Sequence, residues 1–123
     1  MKDDIRVILA DNNVQDRESK KRLLNEQGIQ VVYETGDGKK ALENIKKLKP
    51  DVVVMDMILP GVDGLEILEE CREFTEYKPL FIIATALRRE GLIEQALAQG
   101  ANYYMMKPLS ATMLIKRIRQ IAA

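Results

Sequence analysis

Polar side chains that can handle a phosphoryl group stand where apolar runs end. Asp11 and Asn12 follow residues 5–10 (IRVILA), Asp56 follows 52–55 (VVVM), Thr85 follows 80–84 (LFIIA) and Lys107 follows 103–106 (YYMM). Aspartate is disfavoured in strands and seldom buried alone, so Asp56 needs a cation, a hydrogen-bond shell or a chemical task. Two nearby carboxylates repel, and a hard divalent cation relieves this; Mg²⁺ suits one or two carboxylates completed by carbonyl, water and phosphoryl oxygens. Asp11, Asn12 and Asp56 can form such a site. A metal-held carboxylate with a free oxygen can accept a phosphoryl group, while Lys107 and Thr85 neutralise its equatorial oxygens.

The elements that would position these residues are legible as short Val/Ile-rich runs: 5–10, 30–34, 52–56, 80–84 and 103–106. Runs apolar throughout, separated by helical spacing, predict a parallel sheet covered on both faces. The spacing predicts helices over 15–27, 39–48, 65–74, 90–99 and 111–121. Leu23 and Leu24 face inward in the first, Ala41, Leu42, Ile45 and Leu48 in the second, and Leu65, Ile67 and Leu68 in the third. Leu92, Ile93, Ala96 and Leu97 form the stripe of the fourth, and Met113, Leu114, Ile118 and Ile121 that of the fifth. Gly28 and Gly100 are expected C-caps, Pro50 a stop, the Pro60–Gly64 turn the start of helix three and Ser110 an N-cap. The fold class is therefore α/β, (βα) five times, in one doubly wound five-stranded parallel sheet. In such a sheet ligands bind beyond the carboxyl ends of the strands, where all the polar residues above fall.

Composition removes other chemistries. The chain has 123 residues, enough for one domain over 1–123, and no histidine, which excludes histidine-based catalysis and zinc sites. The single cysteine, Cys71, cannot form an internal disulfide and is expected as a packed or half-exposed thiol. Nineteen basic and nineteen acidic residues cancel, giving no field toward nucleic acid, and no apolar run approaches a membrane span. The start, MKDDIRVILA, is too short and acidic for a secretion signal, so the cytoplasm is expected. A small cofactor binder or phosphatase of the same fold would need a phosphate-cradling glycine loop after strand one, where ADNNVQDR stands instead.

Some residues have plainer explanations. Asp37 and Asp63 beside glycines read as turn residues, Asp3 and Asp4 lie at the wrong end of strand one, and Met105 and Met106 read as core filler. Lys46, Lys47 and Lys49, like Arg88 and Arg89, read as solvated helix ends.

Four strings taken together, VILADN, VVMDMILPGVDG, IIATAL and GANYYMMKP, resemble the receiver domain of two-component response regulators, along residues 5–121. The resemblance implies the CheY-like, flavodoxin-like strand order 2-1-3-4-5. It further implies Asp56 as phosphoacceptor, Asp11, Asn12, Asp56 and the Ile58 carbonyl as Mg²⁺ contributors, and Thr85 and Lys107 as phosphoryl contacts. Thr85 and Tyr104 would be the switch pair, although an aromatic at this position can also simply pack on a helix. A cis Lys107–Pro108 bond is expected.

The partner would be a sensor histidine kinase or phosphotransfer protein. The readout surface would be helix four, strand five and helix five, with a homodimer through that surface as a further expectation. The domain would be a switch rather than an enzyme. A degenerate receiver that works independently of phosphate is the alternative, motivated by Asn12. Ile58 and Leu87, two residues beyond Asp56 and Thr85, are apolar where water would approach, which predicts retarded hydrolysis of an acyl phosphate. GVDGLEIL and GANYYMMKP are similar to receivers of transcriptional regulators, including sporulation regulators. Either a stand-alone receiver or part of a longer regulator fits this reading.

One position departs from the family pattern, where a second acid usually follows strand one. Asn12 keeps an oxygen but lacks the charge. A unit charge about 4 Å from its partner is worth ~1 kcal/mol in water and ~4 kcal/mol at an effective dielectric of 20. Weaker Mg²⁺ binding than at a two-acid site is therefore expected.

Overall fold

The computed structural model describes residues 4–86 and 91–123. Asp3, Leu87, Arg88, Arg89 and Glu90, each given an expectation above, lie outside that set. The order of elements is β1 (Arg6–Ala10), α1 (Val14–Glu26), β2 (Gln30–Thr35), α2 (Gly38–Leu48), β3 (Val52–Asp56), α3 (Gly64–Arg72), β4 (Leu80–Thr85), α4 (Leu92–Ala98), β5 (Tyr103–Met106) and α5 (Ala111–Ile121). All five strands pair in parallel in the order β2-β1-β3-β4-β5.

Alternation along the strands divides the core into two layers. Val7, Leu9, Val52, Val54 and Ile82 pack with Leu24 of α1 and with Leu114 and Ile118 of α5. Ile8, Ala10, Val53, Met55 and Ile83 pack on the other side with Ala41 and Ile45 of α2, Ile67, Leu68 and Cys71 of α3, and Ala96 of α4. The sheet is thus covered on both faces, which is why the inner strands β1, β3 and β4 are largely apolar, whereas the edge strand β2 carries Gln30 and Glu34. Cys71 is fully packed, and burial pushes its thiol up to about 12, so it stays protonated at neutral pH.

Side-chain caps start four of the helices. Asn13, Asp37, Asp63 and Ser110 accept from the backbone N–H groups of Asp16, Lys40, Glu66 and Met113. The turn aspartates therefore have a structural task, and Ser110 caps α5 as its position suggested. Three expectations need correction. Leu97 is 44% exposed and Met113 38% exposed, so neither faces the core. The third helix stops at Arg72, because the N–H groups of Glu73 and Phe74 turn back to Glu70 and Cys71, and Phe74 leaves to stack on Tyr77 with ring centroids 6.0 Å apart. Helix α2, by contrast, ends at Leu48 as expected, with Lys49 as its cap in the left-handed conformation (φ 49°) immediately before Pro50.

The loop from β3 to α3 is braced against the start of α2. Gly38 N–H donates to the Pro60 carbonyl at 2.9 Å, and a Cβ built on Gly38 would lie 1.6 Å from the Val62 carbonyl oxygen. Only glycine allows this approach.

Candidate functional site

Register brings the strand-end residues to one rim. Ala10 pairs with Met55, which sets Asp11 level with Asp56; Asp56 pairs with Ala84, and Thr85 with Met106, next to Lys107. The Lys107 ammonium donates to Asp11 Oδ2 and to Asp56 Oδ2, both at 2.9 Å. Residues 11, 56 and 107, predicted to converge, are in direct contact. The Asp11 Oδ1 accepts from the Asn13 N–H at 2.9 Å, so both carboxylate oxygens of Asp11 are held. Asn12 between them is exposed. The Lys107–Pro108 peptide is cis, as expected.

Thr85 is 3% exposed, and its carbonyl accepts from the Lys107 N–H at 2.8 Å, tying the last strand end to the fourth. Tyr104, paired with Ile83, is half-buried against the layer formed with α2, α3 and α4. Tyr103 packs on the opposite layer under the Arg117 guanidinium, 4.8 Å from its ring centre. Ile58 is 58% exposed beside the acceptor strand. Met105 and Met106 are both half-buried, Met105 against the layer that holds α5.

The acids border a small cavity lined by the apolar Leu9, Val54, Ala84, Leu109 and Leu114 and by the cationic Arg17 and Lys20. Burial there pushes the Asp56 carboxyl above its ordinary range; Lys107 pulls it down, and the Asp11 charge adds to the rise. Burial alone would lower the Lys107 ammonium, but hydrogen bonds to Asp56 and Asp11 reverse this and hold it above its ordinary value. The two directions agree once the stoichiometry is considered. Lys107 faces two anions, while Asp56 shares one cation with a neighbouring carboxylate.

Among the described residues, no group of three or more His, Cys, Asp or Glu side chains is placed to hold a metal ion. Asp11 and Asp56 are the two carboxylates meeting at this rim. That donor set fits Mg²⁺, which keeps several waters and shares one or two carboxylates with phosphoryl oxygens, better than a cation needing an all-protein cage.

Two contributors were not foreseen. The Asn13 side chain caps α1, and its backbone N–H, which meets Asp11, leaves no trace in residue type. Arg17 donates from Nη1 to the Asp11 carbonyl. A signal existed for Arg17, since a basic residue in the first turn of a helix opposes the helix dipole and calls for another reason.

The response regulator receiver domain family matches residues 7–119. The chain is 35% identical over 120 residues to a protein-glutamate methylesterase/protein-glutamine glutaminase 1 of Methanospirillum hungatei, covering 95% of this chain and 34% of that protein. It is 34% identical over 113 residues to the transcriptional regulatory protein PdtaR of Mycobacterium tuberculosis, covering 92% of this chain and 54% of that protein. Thus it spans about a third to a half of the length of these curated relatives. The solved signal receiver domain of NarL from Mycobacterium tuberculosis superposes with a TM-score of 0.91 at 31% identity, covering 98% of each chain. Family match, relatives and sheet order agree, and the chain belongs to the response regulator receiver domains of two-component systems.

Proposed function

We propose that this domain accepts a phosphoryl group on Asp56 and transmits the change through α4, β5 and α5. The observation that carries the reading is the Lys107 ammonium joining the acids of β1 and β3 at 2.9 Å each. An Asp56 oxygen attacks phosphorus of a histidine-linked phosphoryl group. The P–N bond breaks, its electron pair stays on the imidazole nitrogen, and an acyl phosphate forms. Mg²⁺, when bound by Asp11, Asp56, the Ile58 carbonyl and Asn12, supplies positive charge to the phosphoryl oxygens. Lys107 moves from bridging two carboxylates to neutralising the transferred group.

Thr85 would then approach the phosphoryl group, and Tyr104, packed on the same side of the sheet as Ile83, would follow it inward. The partner is a histidine kinase or phosphotransfer protein, and self-association through α4, β5 and α5 is one form the output can take. No described helix is long and apolar enough to cross a membrane.

Incubation with acetyl phosphate and Mg²⁺, followed by intact mass measurement, tests the acceptor. One phosphoryl adduct is expected, absent in Asp56→Asn. No adduct, or the same adduct in the variant, would favour the second reading, a phosphate-independent interaction module, for which the missing acid at Asn12 is the specific support.

The Asn12 position has its own test. Asn12→Asp is expected to bind Mg²⁺ about fivefold or more tightly, corresponding to ~1 kcal/mol for one added charge near a partly hydrated ion. An unchanged affinity in a fluorescence or NMR titration would contradict this account of the position.

A further inference from the structure

The acid end of β1 is held from outside the site. Arg17 donates from Nε to Glu34 Oε1 on β2 at 3.2 Å and from Nη1 to the Asp11 carbonyl. Lys21 adds a second contact to Glu34, at 3.1 Å on Oε2. The Asp11 N–H donates to the Thr35 carbonyl at 2.9 Å. Both peptide groups of Asp11 are therefore tied to β2, one directly and the other through the Arg17–Glu34 pair.

The pair is built into the fold rather than draped over it. Arg17 and Glu34 side chains are 14% and 20% exposed. Position 36 is glycine where a Cβ would lie 3.1 Å from Arg17 Nη1 and 3.2 Å from Asn12 Cα, so the turn after β2 leaves the space the guanidinium uses. Burial pushes the Glu34 carboxyl up, but hydrogen bonds from Lys21 and Arg17 outweigh it and keep it ionised below its ordinary range. Arginine suits the task because its planar fork donates in two fixed directions, which a lysine ammonium on a flexible stem does not reproduce.

We infer that Arg17 is a positioning residue for Asp11: anchored by Glu34, it fixes the Asp11–Asn12 peptide so that Oδ1 meets the Asn13 N–H and Oδ2 meets Lys107. The inference rests on the Mg²⁺ and phosphoryl reading above for its consequence, though not for its geometry. With an amide at Asn12, Asp11 carries the charge of its strand end alone, so an error in its aim is not made good by a second acid. Partners that orient a ligand without touching the metal typically govern its affinity by 10–100-fold, on the order of what is expected here.

The test uses Arg17→Ala, Arg17→Lys and Glu34→Gln, each measured for denaturant stability, Mg²⁺ affinity and the ¹H–¹⁵N resonance of the Asn13 amide in metal-free protein. Arg17→Ala is expected to weaken Mg²⁺ binding roughly tenfold and to shift the Asn13 amide toward a non-hydrogen-bonded position. Glu34→Gln is expected to lose a smaller factor in the same direction, and Arg17→Lys to recover stability more fully than affinity. Should Arg17→Ala fail to fold, the other two carry the same readouts. Reduced stability with Mg²⁺ affinity and the Asn13 amide unchanged would overturn the inference and leave Arg17 as a staple between α1 and β2. If the parent protein bound no Mg²⁺, the functional reading would fall, and the metal-free Asn13 resonance would still decide the positioning role.

Discussion

Gly38→Ala is expected to destabilise the domain by about 2 kcal/mol or more, although alanine in a helix ordinarily stabilises by about 1 kcal/mol over glycine. The added Cβ would lie 1.6 Å from the Val62 carbonyl oxygen and 2.7 Å from its carbon. These are backbone atoms, so no rotamer change relieves the overlap; residues 60–62 or the first turn of α2 must move. Movement also strains the Gly38 N–H bond to the Pro60 carbonyl, 2.9 Å long. For a domain of this size the loss corresponds to a Tm lower by roughly 5–10 °C. Residues 60–62 belong to the loop that runs from Asp56 through Ile58 to α3, so Mg²⁺ affinity should fall with stability.

Gly28→Ala is the control. It has positive φ (+80°) and nothing within 4 Å of its Cβ position, so it should cost about 1 kcal/mol of backbone strain and leave Mg²⁺ binding unchanged. Thermal unfolding of the three proteins separates the effects. A Gly38→Ala protein as stable as its parent would show that the brace between α2 and the acceptor loop is not rigid.

This brace illustrates what the sequence could and could not disclose. Gly38 was legible as part of an entry turn, because Gly36, Asp37 and Gly38 form a local breaker; the Val62 carbonyl 24 positions later was not. Periodicity reports which face of an element is apolar, and it located the stripes of Ala41 and Ile45 or of Leu114 and Ile118. It cannot report how far a neighbour's coverage extends, hence the exposed Leu97 and Met113. The rim was readable because parallel register carries strand ends to one edge whatever the side chains between them, which places Asp11, Asp56 and Lys107 together. Arg17 acts through a backbone carbonyl, a group every residue possesses, so no residue type marked its target. The same holds for the Lys107 N–H on the Thr85 carbonyl.

Lys107→Met should produce two effects of opposite sign, because the ammonium serves the acids in one state and the phosphoryl group in another. Its two 2.9 Å contacts use Oδ2 of both Asp11 and Asp56, the carboxylates a metal ion would share. Removing that cation relieves repulsion against Mg²⁺. At a rim where the three side chains are 15–17% exposed, the gain should be well below the ~4 kcal/mol of a unit charge at about 4 Å and dielectric 20. An increase of about tenfold in Mg²⁺ affinity is expected. Phosphorylation by acetyl phosphate at saturating Mg²⁺ should nevertheless slow by about 10²–10³, the usual cost of removing one group that stabilises developing charge. Without metal, the variant leaves two carboxylates facing each other. Burial already holds Asp56 above its ordinary range with Lys107 present, and its loss raises that carboxyl further. A raised carboxylate is favoured when protonated, so the instability of Lys107→Met should be greatest at neutral pH and fade as pH falls through the raised value. Added Mg²⁺ should restore stability at neutral pH. Equal Mg²⁺ affinity and equal metal-free stability in the two proteins would mean that the ammonium does not bridge the acids in solution, and the reading of this rim as a phosphoryl site in which Lys107 serves both acids would fail with it.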